Sequence, residues 1–186
     1  MKEEQMNAVG TAISVCEGCR LCRTRNNTVM GEGNVNSRIL FVGEGPGQEE
    51  DKQGRPFVGP AGQLLDKMLL SIGLDRSKVY IANIVKCRPP QNRVPEEDEA
   101  EACLPFLRKQ FAIIKPDIVV CLGATAARYL IDRNIRITRD RGNWYEKKGC
   151  SFIATFHPSA LLRDQDKKKD AWEDMKKIRE KLDGIQ

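Results

Sequence analysis

"ILFVGEGPGQEED" spans residues 39–51, and its reading decides the fold. Four apolar residues, Ile39 to Val42, run straight into three glycines, a proline and a cluster of acids. A short apolar run with no polar alternation reads as a strand buried on both faces. The glycines mark a loop whose backbone can approach a ligand closely. Loops of this kind often cradle phosphate, but Glu44, Glu49, Glu50 and Asp51 oppose an anion there. The spacing is also not the G-x-G-x-x-G of a dinucleotide site.

The strand–loop–helix unit recurs along the chain. Downstream, Pro60–Ile72 sets Leu64, Leu65, Met68, Leu69 and Ile72 on one helical stripe, with Gly73 to end it. Val79–Val85 reads as a second strand. Residues 96–115 read as a helix with an acidic first turn, which suits the helix dipole, stopped by Lys115-Pro116. Ile118–Leu122 is a third strand, Ala124–Ile131 a short helix and Phe152–Phe156 a fourth strand. Residues 135–150 read as a hairpin-like excursion with Gly142 and Gly149. A helix over 1–15 precedes these units, and a charged helix over 167–182, around Trp172, Met175 and Ile178, closes the chain. Short apolar strands alternating with helices predict a parallel sheet covered on both faces. All 186 residues are expected to form one domain, with a Cys-rich irregular segment near 16–36.

In such a sheet, ligands sit beyond the carboxyl ends of the strands. That edge would gather Gly43-Glu44-Gly45, Cys87-Arg88-Pro89, Gly123 and His157-Pro158-Ser159, with Asn83 late in the second strand. His157 is the only histidine. Pro158 stiffens the turn that holds it, and a donor held rigidly at that edge can stabilise a developing anion.

Seven cysteines are many for a chain with no signal peptide and no apolar run long enough to span a membrane. A cytoplasmic location is therefore expected. Disulfides do not suit a reducing compartment, so ligation is the better reading. "CEGCRLC" supplies Cys16, Cys19 and Cys22, and Cys87 and Cys103 lie further on. Four thiolates from this set would hold zinc or an iron–sulfur cluster, and spacing alone separates neither the metals nor Cys22 from its neighbours. Cys121 and Cys150 read as inert buried thiols. A net charge of +5 fits either an ordinary basic protein or one that meets a polyanion.

"GEGPGQEED", "GRPFVGPAG", "IANIVKCRPPQNRVP", "CLGATAA" and "TFHPSALLR" together resemble the family 4 uracil-DNA glycosylases, the iron–sulfur type. The likeness runs from about Cys16 to Arg163. It implies a three-layer α/β/α sandwich with a central four-stranded parallel sheet. It also implies a structural [4Fe–4S] cluster on Cys16, Cys19, Cys87 and Cys103, with no catalytic metal. The partner it implies is uracil-containing DNA, single- or double-stranded, bound by a monomer with no membrane attachment. The base must be flipped into a pocket. By resemblance Phe57 stacks on it, and Asn83 reads it by accepting from N3–H and donating to O4. Backbone near Gly43 and Gly45 approaches the base, while Glu44 and Gly47 crowd its C5 side against thymine's methyl. His157 donates to O2 as the base leaves. Relatives elsewhere in the superfamily carry an aspartate that orients water where Gly45 stands here, so Glu44 or Glu50, assisted by Asn92, is expected to take that part. Leu161 or Leu162 would wedge into the vacated stack. Ser159, Arg163, Arg139 and Arg141 would meet the DNA backbone. The region 133–149 lacks the His-containing insertion of relatives that stay bonded to DNA, so turnover is expected.

Two other readings use the same residues differently. One is a nucleic-acid-binding module with a structural Cys₄ site. The other is a small iron–sulfur redox protein, which would want a partner cofactor site that the sequence does not offer.

Overall fold

The computed structural model describes residues 1–185. In chain order the elements are α1 (Lys2–Ser14), β1 (Glu32–Gly33), β2 (Ile39–Gly43), α2 (Gln48–Gln53), α3 (Pro60–Ser71), β3 (Tyr80–Asn83), α4 (Glu97–Ile114), β4 (Ile118–Leu122), α5 (Ala124–Leu130), α6 (Ile137–Asp140), β5 (Trp144–Lys147), β6 (Cys150–Thr155), α7 (Pro158–Arg163) and α8 (Lys168–Gly184). Among the described residues no helix is long and apolar enough to cross a membrane.

The strands form one sheet of six in the order β1-β3-β2-β4-β6-β5. The four inner strands pair in parallel, and an antiparallel strand closes each edge. This corrects the expected four-stranded sheet. Both added strands lie where the sequence carries no buried apolar run, because an edge strand needs none. The hairpin-like excursion over 135–150 resolves into α6 followed by a true hairpin of β5 and β6. Its turn sits at Lys148 and Gly149, both with positive φ.

Alternation along each strand sorts the core into two layers. Leu40, Val42, Tyr80, Ala82, Val119 and Cys121 face α1, α4 and α5. Ile39, Phe41, Ile81, Ile118, Val120 and Leu122 face α3, α7 and α8. Leu65 and Leu69 of α3 are wholly buried in the second layer, each worth about 1.5–3 kcal/mol. Met175 and Ile178 anchor α8 beside them, whereas Trp172, expected with them, is 42% exposed. Because β2, β3, β4 and β6 are parallel, Gly43, Asn83, Leu122 and Thr155 all end on one edge, and the chemistry-bearing loops leave from there.

Candidate active site and cysteine pocket

A cleft of about 920 Å³ opens at that carboxyl edge, and Phe57, Asn83 and His157 all line it. Gly43 is the hinge of the arrangement. A Cβ there would stand 2.5 Å from Phe57 Cζ and 2.6 Å from Asn83 Oδ1, so both side chains press against a backbone that only glycine leaves bare. The Phe57 and His157 rings stack, with centroids 5.5 Å apart.

Asn83 ends β3 and is 2% exposed. Its Oδ1 has no hydrogen-bond partner among the described residues. A buried amide oxygen left unpaired costs about 1–3 kcal/mol, so the acceptor is free to take a donor from a ligand.

Phe57 adopts φ 52°, an unfavourable region for an aromatic residue. Its surroundings enforce it. Arg76 donates to the carbonyls of Pro56 and Phe57. Glu50 holds the other side: its Oε2 accepts from the amides of Val58 at 3.0 Å and Gly59 at 2.8 Å, and its Oε1 from Gly47 at 3.1 Å. The acidic run is thus not loop but the start of α2, with Glu50 clamping two glycine loops together.

His157 caps α7. The Ser159 backbone amide donates to Nδ1 at 3.1 Å, and the Ser159 hydroxyl lies 2.8 Å from the same nitrogen. Nδ1 is therefore an acceptor, and the neutral ring carries its proton on Nε2. Burial, aided by the Arg163 charge, pushes the imidazole pKa down to about 4. Glu44 is half-buried and accepts from the Thr125 hydroxyl. Burial raises its carboxyl above the usual carboxylate range, against the pull of Thr125 and Arg163. Asn92 stands exposed at the rim, its Oδ1 accepting from Arg88 Nε at 2.7 Å.

The residues expected to meet DNA divide. Arg163 lines the cleft and Leu162 is 45% exposed. Leu161 is 1% exposed and packs among Phe41, Leu65 and Met175 in the core, so it is no wedge. Ser159 lines the cleft but is turned to His157. Arg139 is paired with Asp140 through two contacts. Arg141 is tied to Asp170 and to buried Asp174. Neither arginine lines the cleft. Its other cations are Arg93, Arg128 and Lys167, which the sequence reading missed. Arg128 directly follows "CLGATAA" in the last turn of α5, so its closeness to the β4 edge was the available signal.

Behind this edge, Cys16, Cys19, Cys22, Cys87 and Cys103 line one small pocket with Arg25 and Lys86. Cys121 and Cys150 are buried elsewhere in the sheet layer. Arg25 donates to the Cys16 carbonyl at 2.7 Å and to the Cys87 thiol at 3.4 Å, and the Lys86 amide donates to the Cys103 thiol at 3.3 Å. Burial pushes the Cys103 thiol up to about 11 and also raises those of Cys87 and Cys19, so a bound cation would have to stabilise these three as thiolates. Among the described residues no three His, Cys, Asp or Glu side chains converge in the manner of a single-ion site. An all-sulfur set of this kind suits zinc or an iron–sulfur cluster.

The uracil DNA glycosylase superfamily model matches residues 30–176. The chain is 51% identical to a type-4 uracil-DNA glycosylase of Thermotoga maritima, over 88% of this chain and 86% of that one. It is 45% identical to a type-4 uracil-DNA glycosylase of Sulfurisphaera tokodaii, covering 95% and 84% of the two chains. A type-4 uracil-DNA glycosylase of Archaeoglobus fulgidus is 42% identical, with coverage of 95% and 93%.

Proposed function

The chain belongs to the uracil DNA glycosylase superfamily, in its type-4 group, and we propose that it removes uracil from DNA by hydrolysing the base–sugar bond, the opening step of base excision repair. One observation carries the reading: Asn83, whose buried Oδ1 has no hydrogen-bond partner among the described residues, lines the same cleft as Phe57 and His157.

A uracil turned out of the helix enters this cleft. Its N3–H donates to Asn83 Oδ1 and its O4 accepts from Nδ2. Cytosine reverses both roles and leaves the amide unpaired. Phe57 supplies the stacking face. As the N1–C1′ bond breaks, its electron pair moves onto the base and spreads to O2, where Nε2–H of His157 donates to the growing charge. A neutral imidazole suits this, since it donates without giving up its proton. Water adds to C1′ of the cation-like sugar, and its proton passes to Glu44. Glu50 is a positioning residue, because both its oxygens are engaged by backbone amides. Asn92 sits at the rim beside the sugar. Arg163, Arg128 and Lys167 meet phosphates, and Leu162 fills the vacated stack.

Cys16, Cys19, Cys87 and Cys103 would hold a [4Fe–4S] cluster, which supplies a fixed crosslink between the N-terminal segment, the β3 exit and α4. No bond-breaking step passes through it.

The test is a uracil-containing oligonucleotide incubated with the iron-loaded protein and then treated with alkali. Strand cleavage at the uracil position is expected. Intact strands would leave only a binding module.

A further inference from the structure

Lys86 is buried to 1% exposure between the cleft and the cysteine pocket. Its ammonium has no carboxylate partner among the described residues; it donates to the Asn83 carbonyl at 3.0 Å and to Gln110 Oε1 at 2.7 Å. Burying an ammonium is costly even when hydrogen-bonded, and an apolar side chain of similar length would fill the space. The position of the contact explains the choice. β1 pairs with Tyr80 and Ile81 and stops short of Asn83. That edge is next met when the Val29 amide donates to the Lys86 carbonyl. The Lys86 ammonium occupies the gap. On the other side, the Ile84 amide donates to the Gly43 carbonyl at 2.9 Å. The rigid peptide plane leaving Asn83 is thus held at both its oxygen and its nitrogen.

We infer that Lys86 is a positioning residue for base recognition, holding the Asn83–Ile84 peptide so that the Asn83 carboxamide faces the uracil edge. Gln110 sets the angle of the ammonium, since its own Nε2 is anchored on the Met30 carbonyl at 2.8 Å. The inference rests on Asn83 reading the base.

A double-mutant cycle tests it, with single-turnover uracil release measured for the parent, Lys86→Met, Asn83→Ala and the pair. Lys86→Met is expected to slow release about tenfold in the parent background and not at all beside Asn83→Ala, since its effect passes through the amide. Iron per chain and melting temperature show whether each variant is folded and loaded. A Lys86→Met effect equal in both backgrounds, or absent from both, overturns the inference and makes the lysine structural only. If Asn83→Ala releases uracil at the parental rate, the reading of Asn83 itself fails. Should Lys86→Met not fold, Gln110→Met in the same cycle decides: coupling to Asn83→Ala supports the inference and additivity overturns it.

Discussion

The rings of Phe57 and His157 stack with their centroids 5.5 Å apart and their planes inclined by 28°. Carbon contacts need about 3.5–4.0 Å, so no third ring fits between them. On the proposed reading, an everted base stacks against Phe57 without entering between the two rings and takes its hydrogen bond from His157 Nε2–H at its edge. His157→Ala should therefore cut single-turnover uracil release by ~10²–10³ while binding of uracil-containing DNA stays near parental. A rate close to the parent's would remove His157 as the donor to O2.

The pH profile follows from two shifts of opposite sense. Glu44 works as a base only when ionised, and burial raises its carboxyl above the usual 4.5. kcat/KM should fall as pH drops through that raised value. His157, held down to about 4, stays neutral across the same range and adds no inflection near its ordinary 6.5. Glu44→Gln should lower the rate and flatten the acid limb. An acid limb that survives in Glu44→Gln would assign it to another group.

Salt dependence separates the arginines. Arg163→Ala and Lys167→Ala should each weaken DNA binding and reduce the salt slope by ≈1. Arg139→Ala should leave the slope unchanged, because Arg139 lies outside the cleft and is paired with Asp140. Equal losses in all three would extend the phosphate track beyond the cleft onto α6.

Iron content tests the cysteine assignment. Cys87→Ser and Cys103→Ser should lose iron and melt at lower temperature, since both thiols are buried at the pocket. Cys22→Ser should keep its iron. Iron lost in Cys22→Ser and retained in Cys16→Ser or Cys19→Ser would exchange their roles.

Much of this was legible in the sequence wherever burial dictates composition. Ile39–Val42 and Ile118–Leu122 are apolar throughout because helices cover both faces of the sheet, and the α3 stripe needed only its period. Glu32–Gly33 was not legible as a strand, and Trp144–Lys147 only as part of a hairpin-like excursion, since edge strands are paired on one side and half exposed. β3 was read as Val79–Val85 but ends at Asn83, because Ile84 and Val85 leave to bond the carbonyls of Gly43 and Glu44. Their apolar character records burial, not strand. Within the site, residue types pointed to Asn83, Phe57 and His157. They could not show that Glu50 is consumed by three amides, that Ser159 serves His157, or that Leu161 faces the core. Each of those is a choice of side-chain direction made by tertiary packing.

The proposed uracil specificity rests most on Asn83 reading the base through its amide. Asn83→Asp keeps the shape but replaces the Nδ2 donor with an acceptor, so single-turnover release of uracil and of cytosine by this variant tests the claim directly. Uracil release is expected to fall ~10–100-fold, for one unpaired group of about 1–3 kcal/mol, while cytosine release rises above the parent's. A variant that still releases uracil at the parental rate and ignores cytosine would contradict it.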